Sequence, residues 1–314
     1  MKRLIAVALL GLAAQASFAA TPVFAGAVST VSTSAPAQRF AEGIPPLRFC
    51  TGGEGGFYEK LGSTIGGAIV KQTKGELEVL TTGGSVENAE KMKDGECDIA
   101  IMQADAVISL PMPADVKVVD SHTEVVYWLH GKAGVDDFGK MDSSSTAGKF
   151  AVAAVSGSGA LTTMKNWVKI DKGYEGVRIV EFDDWYSAAE AVAQGYVTKA
   201  GVRIEIAGML YVGRPGILPA DITEDFGGQI LVGEVNDGDF AKPVDANDNP
   251  LYAKCEVAET SGLKTSTMGK PDTYCMRAQV VFNNAYLTPL AAADAKKVRR
   301  AIDKGINSTV KVVR

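Results

Sequence analysis

Leu47-Arg-Phe-Cys50 runs directly into Thr51-Gly-Gly-Glu-Gly-Gly56, and then into Phe57-Tyr58. The first four residues read as a short strand and the glycines as a tight turn. A helix is expected from about Phe57 to Gln72, because Phe57, Leu61, Ile65, Ala68 and Ile69 fall on one face at helical spacing. Glu76 to Thr81 is the next strand. Ser85 then offers an N-cap, with Glu87 in the first turn to complement the helix dipole. That helix stops at Gly95, and Asp98 to Met102 is a third strand.

The same order occurs again further along. Phe150 to Val155 reads as a strand, Ser156-Gly-Ser-Gly159 as a glycine turn, and Leu161 to Lys169 as a helix. Val177 to Phe182 is a strand. Ser187 with Glu190 three residues on has the form of a capping box. Its helix ends at Gly195, and a strand is expected near Gly201 to Ala207. Alternating strands and helices imply parallel sheets with right-handed crossovers. The expected fold class is therefore α/β: two lobes, each a mainly parallel sheet flanked by helices. Ligands of open α/β sheets bind beyond the carboxyl ends of the strands. Both glycine turns stand there, so a ligand between the lobes is the natural expectation. The glycines alone serve equally well as plain strand-to-helix turns.

The chain has 314 residues, 46% hydrophobic and 22% charged, and this suits a globular protein of about two domain-sized units. With 32 Lys and Arg against 37 Asp and Glu, the formal charge is −5, the opposite of a nucleic-acid footprint. Lys2 and Arg3, the apolar run Leu4 to Ala14 and the small residues Ser17-Phe18-Ala19 read as a secretory signal peptide over residues 1–19. No cysteine stands at the cleavage site, so no lipid anchor is expected. Residues 20–45 are rich in Ala, Ser, Thr and Pro and read as a flexible segment.

Export would place the four cysteines in an oxidising compartment. Cys255 and Cys275 flank a Gly-, Thr- and Lys-rich loop. A bridge there would contribute about 3 kcal/mol by restricting the unfolded chain. Cys50 ends one strand and Cys97 begins a parallel neighbour, an offset of about five residues at ~3.3 Å each, beyond disulfide reach. One bridge and two free thiols are expected. With no CxxC and only His122 and His130, zinc is not expected.

Neither glycine loop carries a Walker A Lys, and the dinucleotide fingerprint fails at Tyr58. No cofactor is expected. Gly157-Ser158-Gly159 lacks the spacing of a nucleophile elbow, and His122 and His130 read as structural or surface residues. Trp185 and Tyr186 suit a core or a cleft wall. What the loops do offer is backbone N–H groups at helix N-termini, which suit carboxylates as well as phosphates.

Several of these stretches together resemble the TAXI family, the extracytoplasmic solute receptors of TRAP transporters. They are Thr51-Gly-Gly-Glu-Gly-Gly-Phe-Tyr58, Thr81-Thr-Gly-Gly-Ser-Val-Glu-Asn88, Gly95-Glu-Cys-Asp-Ile-Ala-Ile-Met-Gln-Ala-Asp105, and Ala147-Gly-Lys149 leading into Ser156-Gly-Ser-Gly-Ala160. The match runs from about Pro46 to Gln194 and fades beyond Gly195. The resemblance implies a type II periplasmic-binding-protein clamshell that serves an ion-driven permease. Its ligands would be glutamate-like amino acids or small organic acids. By the same resemblance Thr51, Gly53, Gly56 and Tyr58 would meet the ligand from the first loop, with the Tyr58 ring as a cover. Ser85 and Asn88 begin the second helix, where Ser85 suits a cap as well as a contact. Gln103 and Asp105 end the third strand, Asp105 facing an ammonium group. Ser156, Ser158, Gly159 and Ala160 would close from the second lobe.

The chain departs from the family at three places. Ala160 stands for a common Thr, Lys199-Ala200 for Asp-Ala, and Glu59-Lys60 for an aromatic-Pro pair. Arg203 and Arg214 suit a distal carboxylate or plain solvated surface. Lobe one is expected over 46–130 plus 275–314 and lobe two over 131–274. The expected protein is a monomer that hands a small solute to integral membrane subunits in the periplasm and binds no nucleic acid. A ligand sensor feeding a signalling receptor, or a secreted hydrolase using Ser158, are the alternatives.

Overall fold

The computed structural model describes residues 44–142, 146, 148–259 and 262–313; the expected signal peptide over 1–19 and most of the expected flexible segment over 20–45 lie outside them. The first unit is β1 (Leu47–Cys50), α1 (Phe57–Thr73), β2 (Leu77–Leu80), α2 (Ser85–Lys93), β3 (Ile99–Gln103) and α3 (Ala104–Ser109). β1 lies between β2 and β3, parallel to both. Every residue of β3 is buried, as suits a strand covered on both faces. Alternate residues face opposite layers. Phe49 joins Leu61, Ile65 and Ile302 in one apolar cluster, whereas Cys50 joins Ala89 and Met92 in another.

The second unit repeats this arrangement. β5 (Phe150–Val155), α4 (Gly159–Ile170), β6 (Arg178–Phe182) and α5 (Trp185–Gln194) lead to β8 (Val202–Gly213). β5 lies between β6 and β8, again parallel to both. The two-lobed α/β architecture expected of the alternating pattern is therefore present. One hairpin is inserted in the second copy: β7 (Tyr196–Lys199) pairs antiparallel with β8. Its two turn residues, Ala200 at φ 49° and Gly201 at φ 78°, are both left-handed, the geometry that matches strand twist in a tight hairpin. β8 consequently runs to Gly213, well past the Ala207 expected.

Two long strands join the lobes. β4 (Val116–Gly131) pairs with β12 (Asp272–Asn283) along its first part, then with β8 and β9 (Ile230–Gly233). β12 also pairs with β3 and with β10 (Ala253–Glu256). The path through the sheet is β2-β1-β3-β12-β4-β8-β5-β6. Between the Asp120–Gln279 and Thr123–Arg277 pairs, β4 has one more residue than β12, a bulge at Ser121 and His122. The last helix, α7 (Ala292–Val313), buries Val298, Ile302 and Ile306 in the cluster that α1 covers. It is longer than the Ala291-to-Ile306 pattern suggests.

Three expectations need correction. Cys50 and Cys97 are not free thiols; they form a disulfide, with Cα atoms 5.8 Å apart. Cys97 is not in line with β3, which starts at Ile99 and pairs Cys50 with Ala100. The chain turns at Gly95, and Cys97 N–H donates to Lys91 O, so Cys97 sits against the α2 side of the sheet with Cys50. Cys255 and Cys275 are bridged as expected, on the paired strands β10 and β12. The second helix of lobe two starts at Trp185, and its cap is Asp184, not Ser187; the Asp184 carboxylate accepts from Ser187 N–H at 2.7 Å. Ser85 does not cap α2. Its hydroxyl accepts from Gln103 N–H at 3.1 Å and so ties α2 to the end of β3.

Candidate functional site between the lobes

The carboxyl ends of β1, β3, β5 and β8 meet where the lobes face each other. The start of α2 touches the second glycine turn directly, Val86 N–H donating to Gly157 O at 3.3 Å. Ala104, Ala160 and Met164 share one apolar cluster across the boundary. A side chain at Gly159 would place its Cβ 2.0 Å from Gln103 Oε1, so the Gln103 amide keeps this position only against glycine. The structure shows the lobes closed on each other.

The first loop is held from inside lobe one. Thr51 is buried, and its hydroxyl donates to Leu80 O at 3.1 Å. The Asn88 amide donates to Thr51 O at 2.6 Å and to Ile101 O at 2.8 Å and accepts from the Thr82 hydroxyl at 2.7 Å. Asn88 therefore fastens the loop to β3, with both amide protons and the oxygen engaged. Gly53 is exposed, and its carbonyl accepts from Gly56 N–H at 3.1 Å. The loop donors are partly filled by the chain's own acids. Glu59 accepts from Gly55 N–H at 2.8 Å, and Glu87 accepts from Gly83 N–H at 2.7 Å.

On the second lobe Ser158 caps α4, accepting from Leu161 N–H at 3.2 Å and donating to Val155 O at 2.7 Å. That hydroxyl is spent on the helix start. Ser156 is exposed and donates to Glu181 at 2.9 Å. Ala160 is buried against lobe one.

Gln103 ends β3 as expected, but Asp105 lies beyond the strand, in the first turn of α3; two buried acceptors there have no partner, Gln103 Oε1 and Asp105 Oδ1. The other Asp105 oxygen, Oδ2, accepts from the hydroxyls of Thr163 and Tyr252, both at 2.8 Å. Burial raises the Asp105 carboxyl above its ordinary value, and the two hydroxyls, then Ala106 N–H and the Asn166 amide, pull it partly back. An unpartnered donor stands at the equivalent end of β8. Arg214 Nε has no hydrogen bond, and its guanidinium lies over the Phe57 ring, 4.3 Å from the centroid.

The wall between these poles is titratable. The Tyr58 hydroxyl donates to Glu124 at 3.0 Å, and His122 Nε2 lies 3.5 Å from the other Glu124 oxygen. Phe57 meets His122 edge-on at 4.7 Å. Burial first, then the Glu124 charge, push the Tyr58 and Tyr211 phenols well up. His122 and Glu124 are both 4% exposed, so His122 is buried, in keeping with a structural and not a surface position. The β4 bulge brings it there. Glu124, Tyr211, Thr163 and Tyr252 escape the sequence reading. Glu124 alone leaves a trace, an acid at the entrance to the apolar run Val125-Val-Tyr-Trp-Leu129. Arg203 lies away from these groups, paired with Glu205 on the β7–β8 hairpin.

Among the described residues no group of His, Cys, Asp and Glu is arranged to hold a metal ion. No helix among them is long and apolar enough to cross a membrane.

Residues 49–109 match the NMT1-like family. No curated protein sequence matches the chain significantly. Among solved structures, the chain is similar to the GluR0 ligand-binding core from Nostoc punctiforme in complex with L-glutamate. Identity is 11% over 85% of this chain and 97% of that one, with a TM-score of 0.43. It is also similar to a double mutant of the BvgS VFT2 domain from Bordetella pertussis, at 11% identity over 86% and 94%, with a TM-score of 0.39. A full-length OxyR variant from Pseudomonas aeruginosa is similar at 12% identity over 84% and 69%, with a TM-score of 0.41.

Proposed function

We propose that this chain is a solute-binding protein that closes its two lobes on a small solute bearing a carboxylate, a glutamate-like amino acid or an organic acid. The observation that carries the reading is the set of unsatisfied buried groups at the lobe boundary. Gln103 Oε1 and Asp105 Oδ1 lack donors, and Arg214 Nε lacks an acceptor. A buried polar group without a partner costs about 1–3 kcal/mol, so such atoms at the lobe boundary suit a ligand that completes the bonding. A carboxylate suits the Arg214 end, and a protonated amine suits Asp105. In this reading the Tyr58 ring, its hydroxyl tied to Glu124, covers the solute.

In this reading, ligand contacts made with both lobes favour the closed state, and the membrane partner recognises that state. The TAXI-like motifs favour a TRAP-type transporter as that partner and a monomeric receptor in the periplasm, delivered by a cleaved signal peptide. The two disulfides support an oxidising compartment. No catalytic role is assigned to any residue, since the Ser158 hydroxyl is engaged at both its donor and its acceptor sites.

The test is a thermal-shift screen of amino acids and organic acids on protein unfolded and refolded to strip any carried solute. A solute at 100 times its dissociation constant adds about 2.7 kcal/mol of stability. A shift with one acid class, lost in Arg214→Ala, supports the reading. Flat curves across the panel, with no small molecule released from natively purified protein on denaturation, would refute it.

A further inference from the structure

Lobe one offers lobe two a buried carboxylate. Asp105 begins α3, is 1% exposed, and receives two hydroxyls on the same oxygen, Oδ2. Thr163 comes from α4. Tyr252 comes from the segment just before β10. Each donor is fixed within lobe two independently of Asp105. Thr163 is fully buried on a helix whose start is capped by Ser158, and the Tyr252 ring stands edge-on to Trp167 at 5.8 Å. About one helical turn further along both α3 and α4, Asn166 donates to the Ser109 hydroxyl at 3.2 Å. These helices also meet through apolar contact, by way of Ala104, Ala160 and Met164. Apolar contact is non-directional, whereas a hydroxyl donating to a carboxylate is short and oriented.

We propose that Thr163 and Tyr252 form the latch that holds the lobes closed, acting through Asp105. They are positioning residues: their hydroxyls occupy Oδ2 and leave Oδ1 to the solute. The carboxylate is thereby shared between capture and closure. The inference rests on the solute-capture reading for its purpose.

A cross-linking rate tests the latch with no solute added. Ser109→Cys and Asn166→Cys are introduced together into the mature protein, and formation of the 109–166 disulfide is followed by peptide mapping. The rate reports how often the lobes close. In this background Tyr252→Phe keeps the ring on Trp167 and Thr163→Val keeps the volume, so both remove only a hydroxyl. The two together should slow cross-linking by about tenfold or more, as expected for losing two charge-assisted hydrogen bonds. Thr163→Ser should restore the rate lost in Thr163→Val. An unchanged rate in a double variant that melts cooperatively with Cys255–Cys275 intact would overturn the proposal. A silent solute screen with a slowed cross-link would sink the capture reading and leave the latch standing; a positive screen with an unchanged rate would do the reverse.

Discussion

Asn88 is the residue whose substitution should cost the fold most for its size. Its side chain is fully buried and makes three hydrogen bonds, two to backbone carbonyls on separate segments and one from Thr82. Asn88→Ala removes all three and leaves the Ile101 carbonyl without its side-chain donor. Thr51 O keeps only the longer bond from Thr82 at 3.3 Å. At about 1 kcal/mol per lost bond, and more where a buried group is left bare, the expected loss is about 2–4 kcal/mol. The better helix propensity of alanine offsets about 0.6 kcal/mol of that. The urea midpoint should fall with the slope unchanged, and the melting temperature should drop by roughly 10 °C. Asn88→Asp should be worse, since it presents acceptors to two carbonyls. A loss below about 1 kcal/mol in Asn88→Ala would show that the glycine loop is held by something other than this amide.

Other outcomes follow from the same contacts. Replacing both Cys50 and Cys97 by Ala should lower stability by up to about 4 kcal/mol by the chain-entropy estimate for their separation of 47 residues, read as a shift in urea midpoint; a free thiol at either position in non-reduced protein would contradict the pairing. Gly159→Val should displace the buried Gln103 amide that its Cβ would meet and lower the melting temperature; an unchanged melting temperature would refute the close approach. The Asp105 carboxyl is raised in the folded protein, so folding favours its protonated form. Its contribution is therefore fully present below the ordinary carboxylate value of about 3.9 and is lost as pH rises through the raised value. Asp105→Asn should thus gain on the wild type as pH rises from 3 to 7, and parallel melting curves across that range would contradict the assignment.

Local signals read well from the sequence. β1, α1 and β5 follow from apolar spacing interrupted by glycine turns, and repetition of that order is enough to imply two lobes. The closed site is less legible because its bonds span long separations. Asn88 reaches Thr51 across 37 residues, and Tyr252 reaches Asp105 across 147. Nothing near Tyr252 in the chain marks it as facing a carboxylate. The Cys50–Cys97 bridge is hidden because strand extrapolation carries Cys97 along β3, whereas the chain turns out of line before that strand begins. His122 reads as a surface or structural residue because one extra residue in β4, invisible in the pattern, redirects it inward. Asp184 and Ser187 are both good caps three residues apart, and only the structure shows that Asp184 is the one used.

The central claim is that a solute draws the two lobes together. The most direct measurement is the small-angle X-ray scattering profile of refolded protein titrated with whichever amino acid or organic acid stabilises it. The account predicts a radius of gyration that falls to that of the closed structure and saturates with the solute, with the fall abolished in Arg214→Ala. Saturable binding with no change in the profile, by a protein that is open throughout, would contradict it.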